Sequence, residues 1–386
     1  MINTLATKHI RLHKLTIVCA GGGTLGSVTP LLAVAQELKK QLIGYEVRLV
    51  WFGTKNGPEK EIVSSKDFEY IIIPTGKWRR YFDLKNIIDL FLIVYATVQV
   101  YIWLIKNKAD IVLTAGSFVA VPVGVAAWLS RVPVAIHQQD VKVGLANKIL
   151  APLASLITTT FENLNKYFSI GKCFYTGNPV RQEFLNYIPS QTVSGREQFV
   201  MEVKNKLGLN LNLPVLAVIG GGTGAASLNS IIYESLPELV KNWQVVHLVG
   251  RDKLDQIYNH VNYHKLDFTT DSLSVLLPAD LVITRAGLGT LTELGILHKT
   301  IIVVPMSKSH QEANAELIAE KQAGLYLHQE ELTSGDLVAN VNKLWNDVDR
   351  REMYAGNLAK LFPKDGAERV VGHILRLLKD VIARSE

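Results

Sequence analysis

Ile17-Val-Cys-Ala-Gly-Gly-Gly-Thr24 and Ala217-Val-Ile-Gly-Gly-Gly-Thr223 share one pattern: a short unbroken apolar run, a glycine loop, then an amphipathic stretch. An apolar run without alternation suits a strand covered on both faces of a parallel sheet, and the glycines allow a tight turn into a helix. Each copy therefore opens its own doubly wound unit. Around the first copy, strands are expected at 15–20, 47–52, 70–73, 111–114, 134–137 and 156–161, with helices at 28–42, 84–106, 119–130 and 144–154. Around the second, strands are expected at 215–219, 244–249, 281–284 and 301–305, with helices at 227–241 and 290–297. The fold class is α/β: two Rossmann-like, doubly wound parallel-sheet domains facing each other across a cleft. The boundary is expected near 177–179, giving domains 1–180 and 181–366. Residues 186–200 read as a loop or linker, and the last helix, within 367–386, as packing back on the first domain.

Composition agrees with a large globular chain. Of 386 residues, 48% are hydrophobic and 20% charged, which excludes disorder, a collagen-like repeat and a coiled-coil rod. Cys19 and Cys173 are too few for a disulfide framework or a structural zinc site, and both lie in apolar segments. Buried free thiols in a reducing compartment follow, and the first 14 residues lack an apolar core of signal-peptide length, so a cytoplasmic location is expected. Charge is uneven: residues 1–180 hold 20 Lys+Arg against 11 Asp+Glu, whereas residues 181–386 hold 21 against 24. The basic half suggests an anionic partner, a membrane or a nucleic acid, with a solvated basic face as the alternative. It carries no nucleic-acid-binding signature, and its aromatics sit in apolar runs rather than on a stacking surface. No HExxH, CxxC or Gly-x-Ser-x-Gly motif is present, and Asp347-Val-Asp349 lies in a charged helical stretch that reads as surface.

A glycine turn at a helix N-terminus presents backbone N–H groups to phosphate. Neither loop is a clean dinucleotide fingerprint, since no acidic residue closes 47–52, and no Gly-Lys-Ser/Thr completes a Walker motif. The chain nonetheless resembles the MurG family, GT-B glycosyltransferases that move N-acetylglucosamine from UDP-N-acetylglucosamine to lipid I, forming lipid II, at the inner membrane face. The motifs run in order from Gly22 to about Arg376: Gly22-Gly-Thr-Leu-Gly-Ser-Val-Thr-Pro30, Ala126-Ala-Trp-Leu, Val132-Pro-Val-Ala-Ile-His-Gln-Gln139, Gly144-Leu-Ala-Asn-Lys148, Gly177-Asn-Pro-Val-Arg181, Gly220-Gly-Gly-Thr-Gly-Ala225, Arg285-Ala-Gly-Leu-Gly-Thr-Leu-Thr-Glu293 and His310-Gln-Glu-Ala-Asn-Ala315.

The resemblance implies a donor site mostly in the second domain. Glu293 matches the family's ribose-binding acid, and a carboxylate can accept both hydrogens of a cis-diol. Leu288, Gly289, Thr290, Leu291 and Thr292 match the loop whose amides meet the nucleotide phosphates. Gly222 stands where a diphosphate-binding Ser is usual, with Thr223 able to supply the hydroxyl. Phe268 and Thr269 match the segment presenting backbone to uracil, Gln311 a Gln that reads sugar hydroxyls, and Arg181 an Arg directed at the donor. Thr24, Leu25, Gly26 and Asp140 complete the expected UDP-N-acetylglucosamine contacts. The family requires neither a cofactor nor a metal clamp.

The acceptor side departs from the family. Leu25-Gly-Ser27 replaces Gly-Gly-His, whose His is the family's candidate base, while Gln138 replaces Glu and Asp140 replaces Asn. Ser27 cannot accept a proton near neutral pH. His137, at a strand end, is therefore the expected base; Asp140 is the second choice, or orients His137, or binds the sugar. Residues 90–105 carry no charge over 16 positions, flanked by Lys77, Arg79, Arg80 and Lys85 before and by Lys106 and Lys108 after. This reads as an apolar helix of the first domain that meets anionic lipid, with a helix buried in the core or one crossing the bilayer as alternatives. Phe91 and Trp128 join the lipid-facing set, Trp128 by resemblance. The expected setting is peripheral, on the cytoplasmic face of the cell membrane, with cell-wall synthesis proteins as further partners. Rival readings are transfer of a UDP-sugar to another lipid, a UDP-sugar epimerase, and a UDP-sugar-binding homologue without turnover.

Overall fold

The computed structural model describes residues 13–74, 85–187, 193–221, 225–251 and 258–383. The first half comprises β1 (His13–Ala20), α1 (Thr29–Gln41), β2 (Tyr45–Gly53), α2 (Glu59–Ser64), β3 (Glu69–Ile72), α3 (Lys85–Lys106), β4 (Ile111–Thr114), α4 (Ala120–Leu129), β5 (Val134–Gln138), α5 (Leu145–Leu150), β6 (Leu156–Thr159) and β7 (Cys173–Tyr175). Its seven strands are all parallel, in the order β3-β2-β1-β4-β5-β6-β7. The order reverses between β1 and β4, so the loop after β1 opens onto a switch point, where α/β sheets bind ligands.

The second half follows α6 (Gln182–Asn186) and α7 (Val193–Lys206) with β8 (Val215–Ile219), α8 (Ala226–Leu239), β9 (Gln244–Leu248), β10 (Tyr263–Leu266), α9 (Ser272–Leu276), β11 (Leu281–Thr284), α10 (Leu288–Ile296), β12 (Ile301–Val303), α11 (Gln311–Glu320) and β13 (Leu325–Tyr326). Helices α12 (Ser334–Asn346), α13 (Val348–Leu361) and α14 (Gly366–Ala383) end the described chain. The strand order β10-β9-β8-β11-β12-β13, again all parallel, puts a second switch point between β8 and β11. Helix α10 starts there.

The unbroken apolar runs have a direct cause. In β1, Ile17 and Cys19 join one core cluster while Val18 and Ala20 join another on the opposite face. In β8, Val215, Ala217 and Ile219 face one way, and Leu216 and Val218 the other. Side chains alternate across a strand, so a strand covered by helices on both faces needs apolar residues at every position. Val370, Val371, Ile374 and Leu378 of α14 lie in the cluster of Ile17 and Trp51, so the last helix packs on the first sheet.

Two expectations are corrected. Part of the 186–200 stretch is helical, since α7 begins at Val193. The Glu, Gln, Met and Lys that follow are good helix formers, and Val200 and Val203 pack on the second core. Cys19 is fully buried, and burial pushes its thiol far above the ordinary range. Cys173 is only half-buried, with Sγ 3.2 Å from Asn165 Oδ1.

The chain passes between the sheets twice, and the two passages touch. Gly177 has φ +78°, and a Cβ there would come 2.5 Å from Pro363 Cγ. At Gly366 a Cβ would come 2.7 Å from the Asn178 carbonyl oxygen. Only glycine permits both approaches.

Candidate functional site

The loops after β1 and β5 face the start of α10 and α11 across the cleft. With its amide oriented to satisfy both neighbours, Gln139 donates to the Gly26 carbonyl at 2.7 Å and accepts from the Gly289 amide at 2.8 Å. A Cβ on Gly289 would lie 2.7 Å from Thr29 Oγ1, so glycine is what lets α10 come this close to the first domain. One turn into α11, Asn314 uses its whole side chain as a clasp. Its Oδ1 accepts from the Val141 amide at 3.0 Å, and its Nδ2 donates to Asp140 Oδ1 and to the Ala286 carbonyl, both at 2.9 Å. The other oxygen of Asp140 lies 3.9 Å from His310 Nε2.

On the donor side the structure joins two expected residues. Arg181 donates through Nε and Nη2 to Glu293 Oε1 at 2.9 and 2.7 Å, through Nη2 to Ser272 Oγ at 2.7 Å, and through Nη1 to Glu183 at 3.0 Å. Both partners are buried. Burial pushes the Glu293 carboxyl above its usual range, and Arg181 opposes that shift. Burial also works against the Arg181 charge, but Glu293 and Glu183 more than offset it. The guanidinium is thus directed at carboxylates, and it holds Glu293 in place.

Leu288 and Leu291 are core residues, so what they can offer a ligand is backbone. Thr292 is buried, donating to the Leu288 carbonyl at 2.7 Å and accepting from Asn178 Nδ2 at 2.6 Å. Thr290 is half-buried beside Gly289 at the helix start. Gln311 begins α11, its Oε1 accepting from the Met306 amide at 3.1 Å. Phe268 packs on the first domain's core under the Arg251 guanidinium, 4.4 Å from the ring centre, and Arg251 pairs with Glu61 of α2. Thr269 Oγ1 accepts from the Asp271 amide at 3.0 Å. Gly222 and Thr223 lie outside the described residues, as do Lys77, Arg79 and Arg80.

The expected base is displaced. His137 is only 3% exposed, with Nδ1 3.0 Å from Thr158 Oγ1 and Nε2 3.1 Å from Asn178 Oδ1. Desolvation pulls its pKa down to about 4. An imidazole this enclosed, with both nitrogens engaged, is poorly placed to collect a proton from a substrate. Its network serves position instead: Asn178 continues to Thr292 and, at 3.4 Å, to the Leu288 carbonyl, tying the end of the first sheet to α10. Ser27 is buried, its hydroxyl without a hydrogen-bond partner. In the first glycine loop, Gly22 donates to Ser117 Oγ at 3.3 Å and Gly23 to the buried Glu59 at 3.1 Å, so these two amides are already occupied. Thr24 and Gly26 are exposed, and Leu25 packs partly on the core while its carbonyl accepts from Val28 and Thr29. Asp347 caps α13, accepting from the Arg350 amide at 3.1 Å.

Sequence reasoning gave no role to Gln139, Asn178, Asn314, His310 or Glu59. The first four stand inside the quoted motifs, where a polar residue at a strand end or helix start was the available signal. Glu59 carried none.

Helix α3 is long and apolar enough to cross a membrane, yet Val100 and Leu104 are buried against the first sheet, and Ala96 is buried as well. Its other face is open: Phe91 is 72% exposed, with Leu90, Val94, Tyr95, Val98, Ile102 and Ile105 also exposed. The reading of a helix buried all round is thereby corrected. Trp128 on α4 is 52% exposed, and Lys85 opens α3.

The "Glycosyltransferase family 28 N-terminal domain" model matches residues 17–159, and the "Glycosyltransferase family 28 C-terminal domain" model matches residues 215–370. The chain belongs to glycosyltransferase family 28. This family 28 chain is 36% identical over 364 residues to the UDP-N-acetylglucosamine–N-acetylmuramyl-(pentapeptide) pyrophosphoryl-undecaprenol N-acetylglucosamine transferase 2 of Bacillus cereus, covering 93% of this chain and 98% of the relative. It is 34% identical over 369 residues to the transferase of that name in Clostridium botulinum, covering 94% and 99%. Among solved structures, Acinetobacter baumannii MurG superposes with a TM-score of 0.66 at 23% identity, covering 94% of this chain and 99% of that one. The UDP-GlcNAc 2-epimerase from Neisseria meningitidis superposes at 0.63 and 13% identity, covering 94% and 100%, so the family 28 fold alone does not select transfer over epimerisation.

Proposed function

We propose that the chain transfers N-acetylglucosamine from UDP-N-acetylglucosamine to a hydroxyl of the polyprenyl-diphosphate acceptor lipid I, giving lipid II with inversion at the anomeric carbon. The observation that carries the reading is the start of α10 at the second switch point: the Gly289 amide faces the cleft, and Glu293, gripped by Arg181, lies one turn further on. The amides at the start of α10, aided by the helix dipole, take the charge that develops on the leaving diphosphate. Glu293 accepts from the ribose diol. No cofactor enters the reaction.

The first domain carries the acceptor side. The open face of α3, with Phe91 and Trp128, rests on an anionic membrane surface, and the basic segment around Lys77, Arg79, Arg80 and Lys85 adds about 1 kcal/mol per cation near the lipid. A lipid-linked acceptor then reaches the cleft without leaving its bilayer.

The test is transfer of labelled N-acetylglucosamine from UDP-N-acetylglucosamine to lipid I in vesicles by the purified chain. Label in the lipid fraction is the expected result. A labelled UDP-sugar converted without acceptor would indicate an epimerase, and UDP binding without turnover a binding homologue.

A further inference from the structure

We propose that Asp140 and His310, one from each side of the cleft, form the proton-accepting pair of the transfer reaction. The inference rests on the transfer reading above and deepens it. Asp140 follows β5 of the first sheet, and His310 immediately precedes α11 of the second. Their side chains stand 3.9 Å apart, Oδ2 to Nε2, and are 32% and 51% exposed, so a substrate hydroxyl can reach them. His137, by contrast, is enclosed, with both nitrogens engaged.

Asp140 does not swing freely. Asn314 holds its Oδ1 at 2.9 Å and with the same nitrogen holds the Ala286 carbonyl, two residues before α10. The preceding residue, Gln139, touches both Gly26 and the Gly289 amide. Asp140 is thereby fixed beside the start of α10, whose amides the transfer reading assigns to the donor diphosphate. A carboxylate behind an imidazole keeps the ring oriented and stabilises the imidazolium as it forms.

The step balances simply. The acceptor oxygen forms a bond to the anomeric carbon while its proton passes to the His310 imidazole. The bond from that carbon to the β-phosphate oxygen breaks, and its electron pair leaves with UDP. The imidazolium returns the proton to water after the products depart.

The test is steady-state kinetics of the full chain with UDP-N-acetylglucosamine and lipid I, alongside calorimetry with UDP. His310→Ala is expected to lower kcat by 10²- to 10⁴-fold, the span for losing a general base, with donor KM and UDP affinity within threefold of wild type. Added imidazole should restore activity at least tenfold. Asp140→Asn should lower kcat as well, and the double variant should be no slower than the slower single one, because the two act as a unit. A His310→Ala kcat within threefold of wild type, a loss that imidazole leaves unrepaired, or a loss carried by donor KM alone would overturn the pair while leaving the transfer reading standing. A wild-type chain that binds UDP but transfers nothing to lipid overturns both.

Discussion

Gln139 and Gly289 meet across the cleft, the side-chain oxygen of one accepting from the backbone amide of the other at 2.8 Å. That amide is among those proposed to receive the nucleotide diphosphate, so Gln139 holds the place of a phosphate oxygen. Removing a competitor worth one ordinary hydrogen bond, about 0.5–1.5 kcal/mol, should tighten nucleotide binding. Gln139→Ala is expected to bind UDP about two- to tenfold more tightly by calorimetry; weaker binding would make Gln139 a ligand contact rather than a competitor.

Glu293 and Arg181 should be felt in both affinity and stability. Loss of a charge-assisted bond to the ribose should cost Glu293→Ala about 1.5–3 kcal/mol of UDP binding. The structure adds a second effect, because the variant strands a buried guanidinium. Breaking such a pair costs about 3–5 kcal/mol, and Glu183, still 3.0 Å from Arg181, should keep the loss near the lower end. Denaturant unfolding and UDP calorimetry of Glu293→Ala and Arg181→Met together separate the two effects, since the second variant should lose UDP affinity only through a misplaced carboxylate.

His137 makes a stability prediction. Its folded pKa of about 4 lies below the ordinary value of 6.5, so the unfolded chain binds the extra proton first as pH falls. Its contribution is fully present above pH 6.5 and is lost as pH drops toward 4, amounting to about 3 kcal/mol at most. His247, whose pKa burial lowers to about 3, acts in the same direction. Unfolding midpoints measured from pH 7 to 4 should therefore fall less steeply in His137→Asn than in wild type, provided the variant retains the native fold at pH 7. Parallel slopes would show that the folded chain leaves the His137 pKa at its ordinary value.

The open face of α3 predicts vesicle binding that depends on both apolar and ionic contacts. Replacing Phe91 and Ile102 by Ser should change unfolding free energy by less than about 0.5 kcal/mol, since neither side chain is buried. Co-sedimentation with anionic vesicles should drop, and for the wild type it should weaken as salt rises. Unchanged sedimentation of the double variant would place the lipid contact elsewhere.

Much of the fold could be read from residues such as Ile17–Ala20 and Val215–Ile219, because a doubly covered strand must be apolar throughout. The strands β7, β10 and β13 could not, since three residues, the polar Tyr-His-Lys-Leu and two residues carry no usable period. Glu293 and Arg181 could be named singly, but nothing in sequence spacing shows that residues so far apart share one buried ion pair. His137 misled for a physical reason. A strand end in an α/β fold points toward the active site, but whether the ring opens to solvent depends on Thr158, Thr160 and Asn178, which come from other segments. Asp140 and His310 meet only because the two sheets face each other.

The paired passages at Gly177 against Pro363 and Asn178 against Gly366 also govern how the molecule can move. Two chain segments pinned together leave a single hinge line instead of a swivel. Rotation about it would strain the contacts that cross the cleft: Gln139 with Gly289, Asn314 with Asp140 and Arg251 with Glu61. The Asn178–Thr292 bond lies near the axis and would survive. Substrates would thus enter an open jaw whose donor helix has kept its place, and closing it would bring Asp140 and His310 back together.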